Sequence, residues 1–164
     1  MIHWKESVLS AIDNNEDPTK TWYGPIVDAV QNVLTNSPLS NAKKALVKTL
    51  AGDFDEEAVE AKISNLVKEN PVLMLSFASC PFCIKAKGVL DGLGTKYTVV
   101  ELDQVEDGKA IRAVMANMIG RTSVPAIWIG GTFVGGCNDG PLGGVVKLNE
   151  SGQLKNLLAN VGAI

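Results

Sequence analysis

Along the first third of the chain the apolar positions recur every three to four residues, the spacing of one helix face. Ile2, Val8, Leu9 and Ile12 predict a short amphipathic helix, ended by the polar run Asn14 to Pro18. Pro25 opens a second, with Ile26, Val27, Val30, Val33 and Leu34 on one side, and Asn36-Ser37-Pro38 breaks it. Leu39, Ala42, Leu46, Val47 and Leu50 predict a third, stopped at Gly52, where a left-handed cap is usual. Asp53 or Asp55 then caps a helix to about Glu69 that turns Ala58, Ile63, Leu66 and Val67 inward. After Asn70-Pro71 the period changes. Val72 to Phe77 is a near-continuous apolar run, the signature of a strand buried on both faces. Helical spacing returns from Pro81 to Leu93, and Tyr97 to Leu102 is a β-branched and aromatic strand. Glu106 to Met118 is a further helix with Ile111, Val114, Met115 and Met118 on one side. Ala126 to Ile129 and Thr132 to Val134 flank Gly130-Gly131, a two-residue hairpin signal. Two helices, roughly Gly140 to Leu148 and Ser151 to Val161, close the chain.

Strand–helix–strand alternation implies a parallel pair and the hairpin an antiparallel one. The expected fold is therefore α/β: a small four-stranded mixed sheet flanked by helices over residues 55–164, preceded by an all-helical extension over residues 1–54. No glycine- or serine-rich linker separates the two parts, which favours a docked extension over a tethered one. Trp4, Trp22 and Tyr23 are read as packing its helices onto the rest of the protein.

Composition narrows the function. A 46% hydrophobic content in 164 residues supplies a sizeable core for one domain with or without an extension. The net charge of −3 and a pI near 5.2 give no electrostatic ground for binding nucleic acid or an anionic membrane surface. No apolar stretch approaches the ~20 residues of a membrane span. Met1 to Glu6 lacks a basic segment followed by an apolar one, so no secretory signal is expected. Three cysteines in an acidic chain fit a reducing compartment: cytoplasm, or an organelle stroma or matrix if a targeting peptide has been removed.

The chemistry lies in Cys80-Pro81-Phe82-Cys83, between the first strand and the helix after it. Two cysteines separated by two residues at that junction are the layout of a thiol–disulfide site. The thiolate is the nucleophile; a free thiol titrates at about 8.5, and helix N-termini lower such values to roughly 3.5–7.5 through their unpaired N–H groups and dipole. Pro81 suits the first helical position, where a missing N–H costs nothing. Cys80 is thus expected at the exposed tip as the attacking thiol, with Cys83 one turn inside as the resolving thiol. A zinc site wants four N or S ligands, and only Cys137 and His3 remain, so no metal is expected. A chain of this length does not need a structural disulfide.

Two further stretches stand out. Arg121-Thr122-Ser123-Val124-Pro125 precedes the third strand. Its proline is either simply structural or forms a cis Val124–Pro125 bond that leaves the Val124 backbone groups free to pair with an extended peptide. In Gly135-Gly136-Cys137-Asn138-Asp139 the glycines permit close approach of a ligand to the backbone. Asn138 or Asp139 is either the N-cap of the next helix or, for Asp139, a partner for a peptide α-amino group; the spacing leaves both open.

With these three motifs in this order, residues 55–164 resemble a dithiol glutaredoxin. A CxxC pair alone would not separate that family from thioredoxins, but Phe82 between the cysteines and the Gly-Gly-Cys stretch do. The resemblance implies a thioredoxin-like fold and a glutathione-dependent enzyme that reduces protein–glutathione mixed disulfides and protein disulfides. Glutathione is then the reducing co-substrate, with no tightly bound cofactor, and the partners are glutathionylated or disulfide-containing proteins. It implies a glutathione site at Phe82, Arg112, Ser123, Val124, Pro125, Gly136, Cys137, Asn138 and Asp139. Val124 would pair by backbone with the cysteinyl part, Asn138 and Asp139 would hold the γ-glutamyl end, and Arg112 would take the glycine carboxylate. Cys137 is read as a small buried residue beside the site. One departure stands at Phe77, where the family commonly carries a lysine for that same carboxylate; Arg112, Lys85, Lys87 and Arg121 are the cations available to compensate. Two other classes compete: an iron–sulfur cluster-binding member, against which Pro81 argues, and a redox-regulatory protein acting on a partner through the helical extension.

Overall fold

The computed structural model describes residues 38–164. In chain order they form α1 (Pro38–Ala51), α2 (Glu56–Glu69), β1 (Val72–Ser76), α3 (Pro81–Gly92), β2 (Thr98–Glu101), α4 (Gly108–Ile119), β3 (Ala126–Ile129), β4 (Thr132–Gly135), α5 (Gly144–Glu150) and α6 (Gln153–Asn160). The helices expected at Ile2–Ile12 and Pro25–Leu34, with Trp4, Trp22 and Tyr23, lie outside the described residues.

The strands form one sheet in the order β2-β1-β3-β4. β1 runs parallel to β2, paired Leu73 to Thr98 through Ser76 to Glu101, with α3 as the crossover. β3 is antiparallel to both β1 and β4. The continuous apolar run of β1 follows from this position, since every residue of the strand is buried. Val72 and Met74 face one side of the sheet with Ile127, Ile129 and Val134, under Cys83, Ala86 and Leu90 of α3 and residues of α5 and α6. Leu73 and Leu75 face the other with Trp128 and Phe133, under Ile63 and Val67 of α2 and Ile111, Val114 and Met115 of α4. Each buried side chain of this kind contributes roughly 1.5–3 kcal/mol. No helix among the described residues is long and apolar enough to cross a membrane.

Local chemistry sets the ends of α2. Of the two candidate caps, Asp55 is the one used, accepting the Ala58 N–H at 3.0 Å. At the far end the Asn70 side-chain amide donates to the Leu66 carbonyl (2.7 Å) and its oxygen accepts from the Thr98 hydroxyl (2.6 Å), tying α2 to β2. Three expectations are corrected. Ala58 is exposed, because only Ile63, Val67 and half-buried Val59 and Leu66 fall on the stripe above the sheet. α1 lies against α4; Val47 is its buried apolar residue, and Leu46 and Leu50 are 58% and 63% exposed rather than inward. The helix expected from Gly140 starts at Gly144, because Gly140 and Gly143 take positive φ (107° and 87°) in a turn.

Candidate functional site

Cys80 is the N-cap of α3, in extended conformation, and Pro81 is its first residue. The Ile84 N–H donates to the Cys80 carbonyl at 3.0 Å, closing the first turn. The loop before it is pinned at three points. The Cys80 N–H donates to the Phe77 carbonyl (3.2 Å), the Ala78 N–H donates to both Asp103 carboxylate oxygens (3.0 and 3.1 Å), and the Phe77 N–H donates to Cys83 Sγ (3.5 Å). The turn that presents Cys80 is thus held by a carboxylate from the segment after β2. Asp103 carries no sequence signal of this role; it is found only through the fold.

The three thiols are free, with Cys80 half-buried and Cys83 and Cys137 buried. Burial pushes the Cys83 thiol up to about 11; the Phe77 N–H and Ser76 hydroxyl oppose the rise and the Cys80 sulfur adds to it. Burial also raises Cys137, against the pull of Lys85. Both buried thiols are therefore shielded from solvent and held toward the protonated form. Brief alkylation of the folded, reduced protein at pH 7.5 is expected to modify Cys80 at least ~10-fold faster than Cys83 or Cys137. Peptide mass spectrometry reads the order, and equal labelling of Cys80 and Cys137 would contradict it.

The Val124–Pro125 bond is cis. Neither the N–H nor the C=O of Val124 has a hydrogen-bond partner among the described residues. Val124 packs on the apolar cluster that holds Cys80, Cys83 and Cys137, and also on the cluster of the opposite face of the sheet. Phe82 is 57% exposed at the first turn of α3. Arg112, on α4, donates from Nε to the Thr122 carbonyl at 2.8 Å, and its guanidinium lies 5.2 Å from the centre of the Phe77 ring. Phe77 therefore serves as a platform for the remaining cation. Loss of solvent around Arg112 lowers its pKa from the ordinary value. Lys87 is engaged with Glu101 on β2.

Asn138 and Asp139 are not helix caps: α5 starts later, after Gly143, with no side-chain cap. Asp139 instead accepts from Arg121 Nη2 at 3.2 and 3.3 Å, while Arg121 Nε donates to Ser123 Oγ at 3.1 Å. This joins the Ser123-Val124-Pro125 loop to the Gly135–Asp139 loop. Gly136 lies beneath the join, since a Cβ there would stand 2.5 Å from Asp139 Oδ1 and 2.9 Å from both Arg121 Nη2 and the Pro125 carbonyl. Among the described residues no three His, Cys, Asp or Glu side chains come together to hold a metal.

Comparison with known proteins points to one family. A family model described as Glutaredoxin matches residues 72–134. A glutaredoxin of Ricinus communis is 40% identical over 103 residues, covering 63% of this chain and 96% of that protein. One of Solanum lycopersicum is 38% identical over 104 residues, covering 63% and 92%. The crystal structure of a buckwheat glutaredoxin–glutathione complex matches with a TM-score of 0.62 at 35% identity, covering 66% of this chain and 94% of that one.

Proposed function

This chain belongs to the glutaredoxin family and is a glutathione-dependent thiol–disulfide oxidoreductase of thioredoxin fold, and from that premise we propose how its residues share the work. Cys80 is the nucleophile. Its thiolate attacks the glutathione sulfur of a protein–glutathione mixed disulfide; the Cys80–glutathione bond forms, the old disulfide breaks, and the protein thiolate leaves and takes a proton from water. A second glutathione thiolate attacks the same glutathione sulfur, which releases oxidised glutathione and restores Cys80. On a protein disulfide, Cys80 attacks first, Cys83 gives up its proton and displaces the substrate, and two glutathione molecules reduce the resulting Cys80–Cys83 disulfide.

The observation that carries this reading is the unpaired Val124 peptide edge on the same cluster as a helix-capping Cys80. A tripeptide laid along that edge would pair by backbone as an added strand, with its cysteinyl sulfur toward Cys80. Phe82 and Pro125 would flank it, Gly136 and Cys137 would leave room behind it, Asn138 and Asp139 would meet its γ-glutamyl end, and Arg112 its glycine carboxylate. Ser123 would brace that wall through Arg121. The glutathione complex formed by the buckwheat relative supports glutathione as the ligand. We read residues 55–164 as the catalytic domain and residues 1–54 as its extension, with α1 set against α4, the helix that carries Arg112.

The direct test is reduction of a small glutathione mixed disulfide by the full chain, coupled to glutathione reductase. Glutathione-dependent turnover well above the uncatalysed exchange is expected. Turnover at background, with Cys80 still open to alkylation, would refute the glutathione site and leave only an accessible thiol.

A further inference from the structure

In the scheme above Arg121 only braces the wall of the cleft. Asp139 is the carboxylate proposed to meet the γ-glutamyl end, yet in the free protein both its oxygens accept from Arg121. The two partners differ in exposure: the Arg121 side chain is 15% exposed and that of Asp139 56%. Arg121 is fixed as well as covered. Its Nε is tied to Ser123 Oγ, and its guanidinium carbon lies 5.8 Å from the centre of the Phe133 ring. Its Nη1 has no acceptor among the described residues. Gly140, which has no side chain, lies beside it; a Cβ on Gly140 would stand 3.4 Å from Nη1.

We propose that Arg121 is a specificity-determining residue for the γ-glutamyl end of the substrate, acting with Asp139 as a clamp of two opposite charges. The γ-glutamyl group ends in an α-amino acid head, one ammonium and one carboxylate on one carbon. Asp139 takes the ammonium and the open donors of Arg121 take the carboxylate. The protein pair is satisfied without ligand, so neither charge waits unpartnered, and the head group exchanges one ion pair for two. The inference rests on reading the cleft as the glutathione site and names what that site selects: disulfides of γ-glutamylcysteinyl compounds. It also sets a charged contact against the weaker one at the opposite end. There Phe77 replaces a cation, and Arg112 has its Nε committed to Thr122. Recognition by charge is thereby weighted toward the γ-glutamyl end.

The test uses the full reduced chain in single turnover against three mixed disulfides that share one small leaving thiol. They carry glutathione, γ-glutamylcysteine (head group kept, glycine removed) and cysteinylglycine (head group removed). The wild type is expected to prefer both γ-glutamyl compounds over the cysteinylglycine one. In Arg121→Gln that preference falls about tenfold or more for both, the size of one charge-assisted contact. Arg121→Lys, which keeps the charge, recovers part of it. If Arg121→Gln slows all three disulfides by the same factor, Arg121 only braces the loop and the proposal is overturned. A wild type indifferent among the three would instead overturn the glutathione-site reading, and the proposal with it.

Discussion

Cys80→Ser is expected to abolish turnover on every disulfide, by about 10³-fold or more, whereas Cys83→Ser keeps reduction of glutathione mixed disulfides to within about threefold and loses protein-disulfide reduction. The asymmetry follows from where the two sulfurs sit. Cys80 caps the helix at the surface, while Cys83 is fully buried with its thiol pushed up to about 11. Attack needs an accessible thiolate; resolution needs only a neighbour that is deprotonated as the intramolecular bond forms. A pH dependence follows. Below about 11 the Cys83 thiolate fraction rises about tenfold per pH unit, so closure of the Cys80–Cys83 disulfide should accelerate with pH. Cys83→Ser lacks this step, so the pH dependence left in its mixed-disulfide reaction is that of the attacking glutathione thiolate. Coupled assays of the wild type and both mutants on a glutathionylated peptide and on a protein disulfide, from pH 6 to 9, check the split. Equal loss in both mutants on the peptide would refute the assignment of roles.

Gly108→Ala should destabilise the fold by about 3 kcal/mol, lowering the thermal midpoint by roughly 10 °C. A Cβ at Gly108 would stand 1.8 Å from the Leu102 carbonyl oxygen and 2.7 Å from its carbon. Both are backbone atoms of a buried residue, and Leu102 is itself bonded to β1 through its N–H and the Ser76 carbonyl (2.7 Å). No side chain is available to swing away, so α4 must lift off the segment after β2. That segment carries Asp103, which holds the turn before Cys80, and α4 carries Arg112. Lower activity should accompany lower stability. Gly88→Ala is the matched control. Gly88 lies inside α3 without positive φ and with nothing within 4 Å of an added Cβ, so alanine should stabilise the helix by roughly 0.5–1 kcal/mol. Paired thermal melts decide the matter; a Gly108→Ala midpoint within 2 °C of wild type would show that the contact yields without cost.

What the chain determined by itself is what short-range physics controls. The unbroken apolar run from Val72 announced a strand covered on both faces, and the period of Ile111, Val114 and Met115 announced the helix that covers one of them. Pro81 after Cys80 announced the helix start; the fold leaves Cys80 half-buried there rather than fully exposed, and hides Cys83. These features depend on residues within a turn or a strand of each other. Tertiary structure decided which polar side chains meet. Asp139 had a local use, capping a helix, and a distant one; the fold gave it Arg121, eighteen positions away, because glycines with positive φ delay the helix to Gly144. Asp103 holds the Ala78 N–H twenty-five positions back, and Arg112 rests on Phe77, for the same kind of reason. A local pattern fixes how a segment turns and which face it buries. It carries no record of where a loop from elsewhere in the chain will bring a charge, and at this site those long-range charges set the turn before Cys80 and join the two loops of the cleft.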